Sequence, residues 1–369
     1  MPAPATIKSD ERERRLVLDV LDLHALWAPE EDGDRVLGVE PVVFEKGTRA
    51  GGSMLLSSCV IWRYRSFEDF REECPRGDAE LQRLVWHRFD DALAWLERLG
   101  APVVWEETGN PRTIGKRFDP RGLTDALLTR AGEVRLRSPV AADAAAPLVL
   151  ATGGFPVRLA RERGLLVRSN PWSEGDGLDL ALARGAAIAG DLDEFYGRNM
   201  PAPPARFGED GFVELAQLYA RVARVENERG EEFLDGAPSW AETDVVLATA
   251  LQPGAVAWYV VARDAMDERV RDRTVGEMIE AARFAGGEIA DRGDGALAVK
   301  VMPGVTHTVG GIRIDASARV LDSDSHPVVG LYAAGADAGD VASGGYASGL
   351  ATALVLGLVA AETATREYT

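Results

Sequence analysis

Residues 329–358 read VGLYAAGADAGDVASGGYASGLATALVLGL, and the fold turns on this stretch. GLYAAG is short and apolar, as an interior strand is, and the glycines after it permit a tight turn and close backbone approach to a ligand. The apolar run that follows predicts a helix beginning near Tyr346 or Ala347. Its first N–H groups would have no partner inside the helix and would face whatever lies above the turn. Strand, glycine turn and helix in immediate succession suit a flat, anionic cofactor.

Working outward, the same succession recurs. LVLATGGF has a wholly apolar strand, Leu148–Ala151, closed by Gly153 and Gly154. Gly175, Asp176 and Gly177 then open a helix with Leu178, Ala181, Leu182 and Ala186 facing inward. VEPVVFEKG predicts a strand ending on Glu45, and a carboxylate at the C-terminal end of a parallel strand is where nucleotide-binding sheets hold a ribose. Residues 79–99 carry a helical apolar stripe closed by Gly100, with His87 off it. The start is the hardest part: ERERRLVLDVLDLHALW fits a strand with a short helix, or a loose arm, before the acidic turn EEDGD. Residues 191–294 differ in character, with Pro-rich NMPAPPARFGEDG, a helix expected over FVELAQLYARVA (212–223), a strand at AVAWYVVA and a helix at TVGEMIEAARFAGG. The order implies an α/β chain whose nucleotide-binding domain, 1–190 and 295–369, is interrupted by an α+β cap at 191–294.

The 369 residues carry 41 Lys plus Arg against 59 Asp plus Glu, a net charge of -18. That excludes an electrostatic nucleic-acid footprint and means that an anionic ligand needs a local pocket of N–H groups and basic side chains. No apolar run is expected to reach the length of a membrane span and the N-terminus has no signal-peptide core, so a cytoplasmic protein without membrane insertion is expected. Cys59 and Cys74 are expected to be reduced, and His24, His87, His307 and His326 lack metal-ligand spacing. His326 is expected at the surface.

Taken together, EKGTRAGGS (45–53), LVLATGGF with the trailing GDGL, THTVGGIRID (306–315) and GLYAAG running into GGYASGL resemble the FAD-dependent fumarate reductase/succinate dehydrogenase flavoprotein superfamily, to which ketosteroid and tricarballylate dehydrogenases are related. Each motif alone is common; their order and spacing are specific. The resemblance implies a Rossmann-like FAD domain with a substrate cap, and an FAD-dependent oxidoreductase that moves a hydride between flavin N5 and a small carbonyl-containing or unsaturated substrate. It implies that Glu45 and Lys46 lie at the adenosine ribose, that Gly51, Gly52 and Ser53 pass the pyrophosphate and flavin, and that Thr152, Gly153 and Gly154 turn near the adenosine half. Gly335 would meet the ribityl chain, with Asp337 replacing an acidic residue one position late. Ser348, Gly349 and Leu350 would present helix N–H groups to the flavin pyrimidine edge. His307, with Thr308 beside it, falls where relatives place a histidine on a substrate carboxylate. Tyr346 and Trp240 fall where relatives carry arginines, so the clamp for a dicarboxylate is lost and fumarate is not the expected substrate. Tyr346 would instead hydrogen-bond a carbonyl or move a proton.

One departure matters. The G-x-G-x-x-G turn expected after the first strand is absent; LDVLDLHALWAPEEDG stands there, and its bulky side chains and acids oppose a pyrophosphate. The regions around Ala141 and Arg292 look shortened. Two readings follow: an FAD-dependent oxidoreductase with an unusual N-terminus, or an altered flavoprotein fold that binds FAD weakly or not at all. No CxxCH haem-attachment motif is present, so electrons are expected to pass to or from a separate donor or acceptor.

Overall fold

Five parallel strands form the nucleotide-binding sheet of this computed structural model, which describes residues 17–20, 42–140 and 147–368. Across the sheet the order is Arg319–Leu321, Pro327–Ala333, Leu148–Ala151, Val17–Val20, Val42–Glu45 and Glu133–Leu136. Only Arg319–Leu321 runs antiparallel, as the return arm of a hairpin. The first strand in sequence is central; the next two extend to one side, and Leu148–Ala151 and Pro327–Ala333 to the other. That is the dinucleotide-binding order, with the reversal between Val17–Val20 and Leu148–Ala151, and ligands of such sheets bind outside the strand carboxyl ends at the reversal. The expected first strand thus forms and pairs on both edges. The stretch after it, where glycines are lacking in the sequence, lies outside the described residues, as do His24, the EEDGD turn and the shortened region at Ala141.

Leu148, Val149 and Leu150 are fully buried, as a strand covered on both faces requires. The helix Gly349–Tyr368 lies against this core and packs on helix Ala79–Arg98. It begins later than the sequence suggests, because Tyr346 and Ala347 belong to the turn. It also corrects the expectation about apolar length. At 20 residues and mean hydropathy 1.2 it is long and apolar enough to cross a bilayer, yet 72% of that window is buried inside the protein.

A second sheet has the order Phe195–Pro201, Leu297–Thr308, Ala257–Val261 and Arg224–Glu226, with Ile289–Asp291 and Leu166–Val167 also pairing with Leu297–Thr308. The long interior strand Leu297–Thr308 ends on His307 and Thr308, and Thr308 lies beside the turn that follows Leu148–Ala151 in the first sheet. Helix Val275–Phe284 starts on a capping box between Thr274 and Glu277 and buries Met278, Ile279 and Ala282 against the sheet. The helix expected over residues 212–223 does not form. Phe212, Leu215, Ala216, Tyr219 and Ala220 are buried at helical spacing, but the backbone N–H of Gln217 donates to the Asn199 carbonyl and its side chain to that of Leu215. Tertiary bonds replace the helical ladder. Leu182, expected inward, is 40% exposed.

Candidate active site

The strand ends meet through one carboxylate. Asp337 is fully buried beyond Pro327–Ala333, and its oxygens accept bonds from the backbone N–H of Thr152, the Thr152 hydroxyl at 2.9 Å and the Gly154 N–H at 3.3 Å. Burial raises its pKa to about 6, against the pull of those donors. Asp337 thus fixes the Thr152–Gly153–Gly154 turn. Gly335 and Gly154 both hold positive φ, and a Cβ on Gly154 would lie 2.5 Å from the Thr308 hydroxyl and 2.9 Å from the Ala336 carbonyl oxygen.

On the other side of the reversal, Glu45 is buried at its strand end and accepts the Gly47 N–H at 2.5 Å. Lys46 turns outward to ion pairs with Glu174 (2.8 Å) and Asp176 (2.7 Å). Gly51 and Gly52 both have positive φ, and the Ser53 hydroxyl accepts the Asn170 N–H at 3.1 Å.

Strand alternation sorts His307 from Thr308. In the antiparallel register Tyr196 lies directly opposite His307, so their rings share one face, with centroids 5.2 Å apart. Thr308 faces the other way and accepts the Phe155 N–H at 3.5 Å. The imidazole Nδ1 meets the Thr308 carbonyl oxygen at 3.1 Å. Nε2 would stand 2.9 Å from a Cβ on residue 349, so glycine at the helix start admits the ring. Burial lowers the His307 pKa below its ordinary value, and the imidazole is neutral at pH 7.

Tyr346 stacks on Tyr196 at 4.5 Å and 13°, with Trp62 and Trp240 behind it at 5.3 and 5.6 Å. Its backbone is fixed by the Tyr64 hydroxyl, which donates to the Tyr346 carbonyl at 2.6 Å. The guanidinium of Arg198 lies 5.1 Å from the Tyr196 ring centroid and 5.7 Å from that of Tyr346. Burial raises the Tyr196 pKa, but Arg198 and Arg168 outweigh it and leave the phenol below its ordinary value. Burial and the neighbouring Tyr196 push Tyr346 well up.

These groups border a cleft of about 150 Å³, open to solvent, whose walls include Ser53, Gly153, Gly335, Ser348, Gly349 and Leu350 as well as Tyr196, His307 and Tyr346. The structure therefore gathers most of the residues singled out in the sequence, while Lys46 points into an ion-pair cluster and the Thr308 and Asp337 polar groups are turned onto the Thr152–Phe155 turn. Tyr196, Arg168, Arg198 and Trp62 escaped sequence reading. A signal existed for Arg198 alone: it is a lone charge in the strand FYGRNMP, six of whose seven residues are buried.

An FAD binding domain family model matches residues 124–351. A probable fumarate reductase, Ifc3, of Shewanella frigidimarina (strain NCIMB 400) is 28% identical over an alignment covering 89% of this chain and 71% of that protein. A fumarate reductase (cytochrome) of Shewanella frigidimarina is 24% identical over 86% of this chain, which spans 64% of the relative's length. Among solved structures, the open conformation of a flavocytochrome c3 fumarate reductase superposes at TM-score 0.68 and 21% identity, covering 96% of this chain and 78% of that one. A 3-ketosteroid-delta4-(5alpha)-dehydrogenase from Rhodococcus jostii RHA1, in complex with 4-androstene-3,17-dione, superposes at 0.65 and 16% identity over 97% and 98%. At these identities the superpositions show the dehydrogenase flavoprotein fold.

The residues present fit FAD. Gly153, in the turn that Asp337 fixes, lines the cleft with positive φ, where the absence of a side chain lets a ligand approach the backbone. Beside Ser53, both polar atoms of the Asn170 amide are buried without a hydrogen-bond partner among the described residues, a cost that a polar ligand relieves. Among the described residues the Ser348 hydroxyl caps the Ala351 N–H alone, at 3.2 Å, leaving other first-turn N–H groups of the helix for negative charge.

Proposed function

The chain belongs to the FAD binding domain family and takes FAD as its cofactor, and from that premise we propose that this FAD-dependent oxidoreductase moves a hydride to or from a small carbonyl-containing or unsaturated substrate held at Tyr346, Tyr196 and His307. FAD, when bound, supplies the hydride acceptor or donor. The observation that carries the reading is the register: it sets Tyr196 opposite His307 and stacks it on Tyr346, in the cleft that also holds the glycine turns.

The two phenols stack on one another and both line the cleft, so both can reach a substrate oxygen there. Tyr346 keeps its proton and donates a hydrogen bond to a substrate oxygen; Tyr196, held low by Arg198 and Arg168, is the group through which a proton leaves or arrives. Neutral His307 orients the substrate. Trp62 and Trp240 exclude water behind Tyr346. Glu45, Gly51, Gly52, Ser53, Thr152, Gly153 and Gly154 would hold the nucleotide half, and Gly335, Ser348, Gly349 and Leu350 the flavin half. In this reading Asp337 serves by fixing the turn, and residues 191–294 cover the substrate. A separate electron donor or acceptor completes the cycle.

The test is rapid mixing of the flavin-loaded protein with carbonyl-containing and unsaturated substrates while flavin absorbance is followed. Tyr346→Phe removes only the hydroxyl and should slow the flavin redox step about a hundredfold. An unchanged rate would return Tyr346 to a packing role.

A further inference from the structure

Tyr196 and Tyr346 reach their stack from different parts of the chain, one on strand Phe195–Pro201 and the other on the turn before the last helix. That turn has no ladder to hold it. Residues 340–348 form neither helix nor strand, and Asp340 (φ 71°) and Gly344 (φ 93°) both hold positive φ, so bonds from outside must fix its shape. The described backbone bonds of residues 341–346 mostly lead away from Tyr196. The Val341 carbonyl accepts the Gln82 side chain at 2.9 Å, the Ser343 carbonyl the Arg76 N–H at 3.2 Å and the Tyr346 carbonyl the Tyr64 hydroxyl at 2.6 Å.

Among those described bonds, one leads the other way. The Gly344 N–H donates to Glu194 Oε1 at 2.7 Å, and Glu194 stands two residues before Tyr196 as Gly344 stands two before Tyr346. The Glu194 carbonyl in turn accepts the Val309 N–H at 3.0 Å, just past the strand that carries His307. Its side chain is 7% exposed, and its second carboxylate oxygen pairs at 2.8 Å with Arg76, whose side chain is 67% exposed. A buried carboxylate that accepts a backbone N–H is a strong, directional tie. The pair with an exposed guanidinium adds little to it. Neither the hydride nor the proton step described above uses this acid.

We propose that Glu194 is a positioning residue of the substrate site: by holding the Gly344 N–H it fixes the turn that presents Tyr346 against the strand that presents Tyr196, and so sets the overlap of the two rings. Rings stacked at 4.5 Å and 13° keep their contact over a narrow range of displacement. A misplacement of about 1 Å at a reacting group costs on the order of a hundredfold in rate. The proposal rests on the oxidoreductase reading for calling the site a substrate site; the hold on the stack does not.

NMR spectra of the purified FAD-loaded chain carrying ring-labelled tyrosine test the proposal without a turnover assay, because stacked rings shift one another's signals and the chain has seven tyrosines. Single Tyr→Phe variants assign the signals. In Glu194→Ala those of Tyr196 and Tyr346 should move beyond their linewidths, while those of Tyr219 and Tyr259, in the core of the second sheet, stay in place. Glu194→Gln keeps an oxygen for the Gly344 N–H, and Arg76 is exposed enough to turn aside, so both signals should return to the parent positions. Glu194→Asp keeps the charge but draws the oxygens back by one methylene; it is the second variant and should move the same two signals. Unmoved signals in Glu194→Ala and Glu194→Asp, movement of all the tyrosines alike, or a Glu194→Gln spectrum matching that of Glu194→Ala would overturn the proposal. The flavin redox step with a substrate that the parent accepts should fall about tenfold or more in Glu194→Ala and recover in Glu194→Gln, and an unchanged rate in Glu194→Ala would equally overturn it. Signals that behave as stated in a chain whose flavin never exchanges electrons with a substrate would keep the hold on the stack and refute only the redox reading.

Discussion

His307 and Thr308 are adjacent in sequence and opposite in placement, because a strand turns successive side chains to opposite faces. The imidazole enters the cleft and the hydroxyl closes on the Phe155 N–H. His307→Ala should therefore slow the flavin redox step by roughly a hundredfold without loss of bound flavin, whereas Thr308→Val should act chiefly on stability; equal rates for His307→Ala and the parent would remove the imidazole from the reaction. Gly349 is a further residue-scale test. A Cβ there would stand 2.9 Å from His307 Nε2, so Gly349→Ala should displace the ring and mimic the His307→Ala rate. Glu242 predicts a pH effect. Burial raises its pKa from 4.5 to about 7, so the folded state binds its proton to higher pH than the unfolded chain does. The stability from this group is fully present below about 4.5 and is lost as pH rises through about 7, worth roughly 3 kcal/mol. Glu242→Gln should flatten the stability profile across that window, and parallel denaturation midpoints from pH 5 to pH 8 would contradict the assignment.

Among the elements, those legible in the sequence had a local cause. Leu148–Ala151 is apolar throughout, Ala79–Arg98 carries a helical stripe and an Asp78 cap, and Val275–Phe284 carries its capping box. Residues 212–223 had the helical period but not the helix, since Gln217 is engaged by Asn199 and a spacing pattern contains no information about that partner. The same limit hid Tyr196, whose importance comes from pairing with a strand more than a hundred residues away. Asp337 was expected at the ribityl chain from its place after Gly335, and its bonds go to the neighbouring strand end. The turn into the last helix depends on a close approach: a Cβ on Gly345 would lie 1.7 Å from the Glu73 carbonyl oxygen. Gly345→Ala should lower stability by about 2 kcal/mol or more, measured by denaturant unfolding, and an unchanged midpoint would show that this contact is loose.

At the scale of the whole molecule, the strand order retains a dinucleotide sheet even though the sequence lacks the glycine turn that usually announces one. Val17–Val20 takes the central place through pairing with Val42–Glu45 and Leu148–Ala151, and these contacts depend on the sheet rather than on the residues that follow the strand. The turns that can be described, at Gly51–Gly52, Thr152–Gly154 and Gly335, lie at or just beyond strand carboxyl ends. These elements are expected to hold FAD without that glycine turn. The most direct measurement is the flavin content of the purified full chain after incubation with FAD, read from its visible spectrum together with its thermal midpoint. One flavin per chain and a midpoint that rises with FAD concentration are predicted; a colourless protein whose midpoint is indifferent to FAD would contradict the account.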